Sequence, residues 1–407
     1  FRLQSWRSIA VAMNATEHAP ANWSAVLALT LCVSTLIASE FMPVSLLTPI
    51  ATDLRLTEGM AGQAIAVSGL FAVLTSLIVA RASAGVDRRH LLLGLTLVML
   101  VSGVMVAFAP NAAVFMAGRA LVGVVIGGFW SMSTATVMRL VPPASVPKAL
   151  ALLNGGNALA TTIAAPLGSF LGQFVGWRWA FFMVVPLAGL TFAWKWLALP
   201  PMPSDRDEPA SHTLSLLERA EVQRGMAAVA LLFAGQFAIF TYFRPFLEQQ
   251  VHLGVSQISL VLLGMGLAGV VGNALVGRLI GRSLTLALIT LPLALAILAV
   301  ALVVLKLSPP VAALALALWG MVGTSAPVAW WTWMARTLPD DAEAAGGLMV
   351  AVIQMAITLG AAAGGMLFDA FGYGVAFLGG ALMLVGSALV GAADARISHP
   401  DPQRSKA

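Results

Sequence analysis

The sequence predicts an all-α membrane protein with twelve transmembrane helices in two six-helix bundles and both termini cytoplasmic. Three observations carry this. Hydrophobic residues make up 59% of the 407 residues and charged residues only 10%, against about a quarter charged in a soluble domain; the mean hydropathy is +0.93. Stretches of roughly 20 mostly apolar residues, enough to cross a bilayer, tile the chain. Motifs of the first half return in the second at a nearly constant offset.

Residues 1–22 are too polar at the start for a secretory signal and read as a cytoplasmic tail. The N-terminal bundle, 23–199, holds spans at 25–50, 61–80, 91–110, 112–138, 149–175 and 178–199. The longest polar stretch, 200–225 (PPMPSDRDEPASHTLSLLERAEVQRG), reads as a cytoplasmic linker carrying a short surface helix at 214–223. The C-terminal bundle, 226–394, holds spans at 226–247, 255–280, 284–305, 310–335, 344–370 and 374–393, and 395–407 is a cytoplasmic tail. Pro43, Pro166, Pro245 and Pro327 fall inside spans. In membranes this does not exclude helix, because neighbouring helices re-satisfy the freed backbone groups.

Orientation follows from lysine and arginine, which collect on the cytoplasmic side. Of the 22 in the chain, Arg55, Arg178, Arg244 and Lys306 fall on the far side and Arg119 within a span. The rest, Lys195 among them, fall on the side of the N-terminus. The net charge of +5 is therefore loop charge that sets topology. No basic helix with interleaved aromatics suggests nucleic acid.

The halves are alike. VMRLVPP (137–143) returns as MARTLPD (334–340), and FVGWRWAFF (174–182) returns as AFGYGVAFL (370–378), both at offsets of about 197 residues. Such a parallel repeat relates two halves about an axis along the membrane normal.

Glu40 is the only acid deep inside a span. An acid in hydrocarbon costs several kcal/mol unless it faces water, pairs or is protonated. A carboxylate whose surroundings alternate suits a proton carrier; a fixed ion pair or a substrate-binding acid is the alternative. Arg119 in span four and Arg244 in span seven lie at a similar depth and are candidate partners, although an arginine near a span end can also snorkel outward. Gly123 and Gly127 follow Arg119 at four-residue spacing, which permits close helix approach. Span five combines Asn154 and Asn157 with Pro166 and with Gly155, Gly156, Gly168, Gly172 and Gly176, a closely packed helix with a proline kink. Gln236, Tyr242 and Gln354 are further polar groups in apolar spans, and Trp130 is a mid-span aromatic plate. Such a plate with amide and hydroxyl groups suits a flat heterocycle bearing a sugar, and many drug-like molecules as well.

Enzyme chemistry finds no support. The five histidines lie in tails, loops or span edges, and Cys32 is the single cysteine, so no metal-ligand cluster forms. No phosphate-cradling GxxxxGK[ST] occurs. No cofactor is expected.

Twelve spans in two repeats, VDRRHLLLG after span two, RALVG in span four and the Pro/Gly-rich span five together resemble the major facilitator superfamily. Within it, EFMPVSLLTPIA, GGFWSMS, LVPPASVPKAL, APLGSFLGQFVGWR and AGQFAIFTYFRP are similar to the drug:proton antiporter group and its bacterial sugar and nucleoside exporters. The likeness runs from Asn22 to about Arg396. It implies a monomeric proton-driven exporter of purine ribonucleosides or analogues in the bacterial inner membrane. A sugar or multidrug exporter and a passive facilitator are the alternatives. Arg119 matches the group's proton-transfer arginine, and Ala165–Pro166 with Gly168 match its antiporter motif, with alanine in place of a usual glycine. Arg88 and Arg89 match the basic end of a gating motif whose usual aspartate, four residues before Arg88, is Ala84 here. Asp87 is the candidate substitute.

Overall fold

A computed structural model describes residues 21–82, 85–203, 215–305, 308–338 and 341–398. Most of both predicted tails, part of the predicted linker, and Ala84 lie outside the described residues. The first half comprises α1 (Trp23–Leu54), α2 (Glu58–Ala82), α3 (Arg88–Ala107), α4 (Ala112–Leu140), α5 (Val146–Phe182) and α6 (Val184–Ala198). The second comprises α7 (Ala220–Phe240), α8 (Phe243–Gln249), α9 (Val255–Arg282), α10 (Leu284–Val304), α11 (Pro309–Thr337), α12 (Ala342–Phe371) and α13 (Tyr373–Ser398). Among the described residues, eleven helical stretches are long and apolar enough to cross a membrane. One of them, Pro143–Ala198, runs for 56 residues and is broken at Gly176, whose φ of 79° and ψ of 161° are not helical. Glycine takes that positive φ without the Cβ clash other residues meet. Its repeat mate Gly372, φ 81°, separates α12 from α13 in the same way.

Local chemistry explains the ends. Asn22, Asp87, Asn111 and Ser283 cap α1, α3, α4 and α10, each side chain accepting a first-turn N–H. Predicted span seven is two helices: Pro245 cannot donate to the carbonyl of Thr241, and the chain turns at Thr241–Tyr242 between α7 and α8. The surface helix expected at 214–223 is instead a 3-10 turn, Ser215–Glu218, followed by α7 itself from Ala220. Buried Leu216 and Val222 draw this stretch onto the bundle, so the transmembrane helix begins earlier than its apolar run.

Packing repeats as the motifs do. In the first half α1 lies on α5 and α6, α4 on α2 and α3, and α3 on α6. In the second, α7 lies on α12 and α13, α11 on α9 and α10, and α10 on α13. The halves meet along two seams, α2 against α12 and α5 against α9, with α8 touching α1. Helices approach closely where side chains are absent. A Cβ on Gly123 or Gly127 of α4 would stand 2.1 Å from the carbonyl oxygens of Ser68 and Ala72 on α2, as their spacing predicts. The face where α1 begins and α13 ends is called the terminal face below.

On the opposite face the first half carries a staple with no counterpart among the described residues of the second. Asp53, near the end of α1, accepts from the Trp177 indole at 3.0 Å and pairs with Arg178, whose guanidinium also donates to the Ala109 carbonyl at 2.8 Å.

Candidate functional site

Two prolines in α1 shape the polar centre. Pro43 and Pro49 lie inside the helix and have no N–H, so the carbonyls four residues earlier, Ser39 and Ser45, lose their helical donors. In apolar surroundings such orphans need partners from elsewhere. Arg119, fully buried on α4, donates Nη1 to Ser39 O at 2.7 Å and Nη2 to Glu40 O at 3.0 Å. It also donates Nε to Ala64 O at 3.2 Å and Nη2 to the Ser68 hydroxyl at 3.2 Å on α2. Arg244 of α8 donates Nη1 to Ser45 O and Nε to Glu248 Oε1 at 2.8 Å. The same device recurs in α11, where Pro327 frees Gly323 O and Gln236 of α7 donates to it at 3.3 Å.

Arg119 therefore grips the backbone of Glu40, not its acid. No ion pair within 4.0 Å joins the Glu40 carboxylate to an arginine among the described residues. That carboxylate, on a residue 3% exposed, has the Gln354 side chain of α12 as a polar neighbour from the other half and Arg119 as its neighbouring charge. Next to it, Phe41 packs on Phe237 and Phe240 of α7 at 5.8 and 6.4 Å between ring centroids. Glu40 and Arg119 thus lie where α1 packs on α4, with Gln354 of α12 as a polar neighbour, and Phe41 bridges the halves beside them.

The other expected site residues are dispersed. Arg244 has Glu248, one turn on, as its ionic partner, not Glu40. Tyr242 is fully buried; its hydroxyl donates to Ala361 O at 3.0 Å and its ring stacks on Phe368 at 5.1 Å. The hydroxyl also lies against Gly62 of α2, so in this conformation the tyrosine packs the α2/α12 seam. Trp130, half-buried and edge-on to Phe129 at 5.9 Å, lies about 16 Å nearer the terminal face than Arg119, at 1.5 Å per residue of α4. Asn154 is exposed and its amide bonds its own helix at Leu150 O, 3.0 Å; Asn157 is half-buried on the same helix. Arg89 donates to Trp196 O at 2.7 Å and lies 5.7 Å from that ring. Arg88 N bonds Met202 O at 3.0 Å. Asp87 caps α3 and accepts from Met202 N at 3.0 and 3.1 Å. These described contacts of Asp87, Arg88 and Arg89 go to the first half and to Met202 at the start of the linker, not to the second half. Pro166 is buried, and the Thr162 carbonyl that it frees faces Gly266 of α9, whose added Cβ would stand 2.6 Å away. Gly168 seats α5 on Met42 and Ser45 of α1.

Sequence reasoning missed Lys195, which it assigned to the terminal-face loops. The side chain is fully buried. Its ammonium donates to Leu92 O at 2.9 Å, Thr96 Oγ1 at 2.7 Å and Cys32 Sγ at 3.6 Å, 5.9 Å from the Phe129 ring. The available signal was helical spacing: Ala188, Thr191 and Lys195 share one buried face of α6. Asp369 was missed as well. It accepts from the Thr57 hydroxyl at 2.5 Å and from Gly59 N at 2.9 Å, across the α2/α12 seam. No set of three His, Cys, Asp or Glu able to hold a metal occurs among the described residues.

The fold is similar to a solved bacterial homologue of the human lysosomal transporter Spinster, in an inward-facing and unoccupied conformation, with a TM-score of 0.71, 16% identity and coverage of 93% of this chain and 97% of that one. By sequence, the chain is 51% identical over 391 residues to the Transcription regulatory protein OpdE of Pseudomonas aeruginosa, covering 95% of this chain and 97% of the relative. It is 43% identical over 392 residues to the Purine ribonucleoside efflux pump NepI of Salmonella paratyphi B, covering 96% and 98%. Residues 27–349 match the profile of the Major Facilitator Superfamily. With its paired bundles, two seams and internal repeat, the chain belongs to the Major Facilitator Superfamily.

Proposed function

We propose that this protein is a proton-coupled exporter of purine ribonucleosides or related analogues. It would cross the bacterial inner membrane twelve times, with both termini cytoplasmic, and act as a monomer without a cofactor. The observation that carries the reading is Glu40: a buried acid at the meeting of the halves, free of an arginine ion pair, with an amide from the other half as its neighbour. Rocking of one half against the other would expose Glu40 first to one side and then to the other. A proton taken up from the far side would neutralise the acid, and its release to the cytoplasm would accompany binding of the next cargo molecule. At 100 mV each charge moved supplies about 2.3 kcal/mol, enough for roughly fifty-fold accumulation. The name of the Salmonella relative supports the cargo.

The name of the Pseudomonas relative favours a second reading, a membrane protein that acts on transcription. An exporter that changes the concentration of an inducer alters transcription without touching DNA, so the two readings are compatible. Everted membrane vesicles separate them. Uphill, protonophore-sensitive uptake of a purine ribonucleoside is expected, and Glu40→Gln should abolish it. Vesicles that only equilibrate nucleoside indicate a facilitator; vesicles that take up none leave the regulatory reading.

A further inference from the structure

The seam between the halves is fastened at the face opposite the termini, and the fastening is duplicated by the repeat. At the start of α2, Thr57 is the cap: its Oγ1 accepts from Met60 N at 3.1 Å and donates to Asp369 Oδ2 at 2.5 Å. Asp369 Oδ1 accepts from Gly59 N at 2.9 Å. A carboxylate on the last turn of α12 thus completes the N-terminus of α2 in the other half, where unpaired N–H groups and the helix dipole favour negative charge. Gly59 is required by the approach, since a Cβ there would lie 2.4 Å from Asp369 Oδ2 and from Gly365 O. About 197 residues away, the mates of these positions do the same on the other seam. The Ser256 hydroxyl, at the start of α9 after the cap residue Gly254, donates to Gln173 Oε1 of α5 at 3.0 Å. Gln173 is the mate of Asp369, and Ser256 of Gly59. One latch is charged and takes two donors; the other is neutral and takes one. Charge-assisted hydrogen bonds are roughly twice as strong as neutral ones.

We propose that Asp369 is the principal gating residue for access to this face: its contact with Thr57 and Gly59 holds the α2/α12 seam shut, and Gln173–Ser256 is its weaker counterpart on α5/α9. Opening to the far side requires the Asp369 contact to break. The proposal rests on alternating access but not on the cargo or the proton.

The test is a distance measurement on the full-length protein in lipid nanodiscs, without substrate or gradient. Spin labels at Ala113→Cys and Val311→Cys, exposed positions at the far-face starts of α4 and α11, report the separation of the halves by pulsed electron resonance; Cys32 is buried. Asp369→Asn keeps the shape and removes the charge. It should raise the ratio of long to short distances by roughly tenfold, and Gln173→Ala by clearly less. Gly59→Ala forces a methyl into the latch and should reproduce the Asp369→Asn shift, which keeps the idea testable if the aspartate variant does not fold. An unchanged distribution in Asp369→Asn, or an equal shift in Gln173→Ala, overturns the proposal. Because nothing is transported in this measurement, that outcome leaves the vesicle result for Glu40 untouched.

Discussion

Arg119 donates to the carbonyl of Ser39 at 2.7 Å, the oxygen that Pro43 leaves without a helical partner. The buried arginine is thus tied to the proline-freed carbonyl next to Glu40. Replacing Pro43 with alanine restores the N–H that satisfies Ser39 O. We expect Arg119→Ala to cost about 2–4 kcal/mol in the natural background and at least ~1 kcal/mol less beside Pro43→Ala. A double-mutant cycle on unfolding in mixed micelles measures the coupling; strictly additive effects would disprove the link.

Arg119→Lys should not rescue. The guanidinium reaches oxygens on α1 and α2 from separate nitrogens, and a single ammonium lacks that fork. Thermal melts in detergent should place Lys close to Ala. A lysine variant as stable as the parent would mean that charge, not geometry, matters at this position.

Glu40→Gln should separate stability from work. The carboxylate has no ion pair to lose, and an uncharged amide of the same shape is cheaper to bury. Its melting temperature should equal or exceed that of the parent while uphill uptake vanishes. A strongly destabilised variant would instead indicate a structural acid.

Lys195→Met should be neutral or stabilising by about 1 kcal/mol. The Thr96 hydroxyl already donates to Leu92 O at 2.8 Å, so removal of the ammonium orphans neither, and an unpaired buried charge disappears. Lys195→Glu should prevent folding. Both are read from detergent melts and the yield of monodisperse protein. A large loss in the methionine variant would show that the three donors are needed.

Two glycine substitutions should diverge. Gly127→Ala drives a methyl to 2.1 Å from Ala72 O and should cost about 2–4 kcal/mol. Gly155→Ala meets nothing within 4 Å and should be neutral or gain up to ~1 kcal/mol of helix propensity. Equal melting temperatures for the two variants would contradict the packing of α4 on α2.

Hydropathy, small-residue spacing and the internal repeat placed the helices, because bilayer thickness and backbone satisfaction leave few other solutions. Glu40 and Arg119 stood out because each is a charge in an apolar run. What the sequence hid was direction. Lys195 sits near the end of its run, where a lysine usually reaches toward water; only the face shared with Thr191 marks it as inward. Tyr242 looks like a ligand contact by type, yet its hydroxyl is taken by Ala361 O. Arg244 invited pairing with Glu40, but Glu248 lies one turn along its own helix. Asp369 was invisible as a latch because its partners, Thr57 and Gly59, stand about 310 residues away in the chain.

Gly176 inside α5, and Gly372 between α12 and α13, each interrupt the helical path at a single residue without an intervening loop. In both halves a single positive-φ glycine therefore does the work of a connecting turn. Asp369 stands only three residues before Gly372, so the carboxylate that meets Thr57 and Gly59 sits one helical turn from the start of α13.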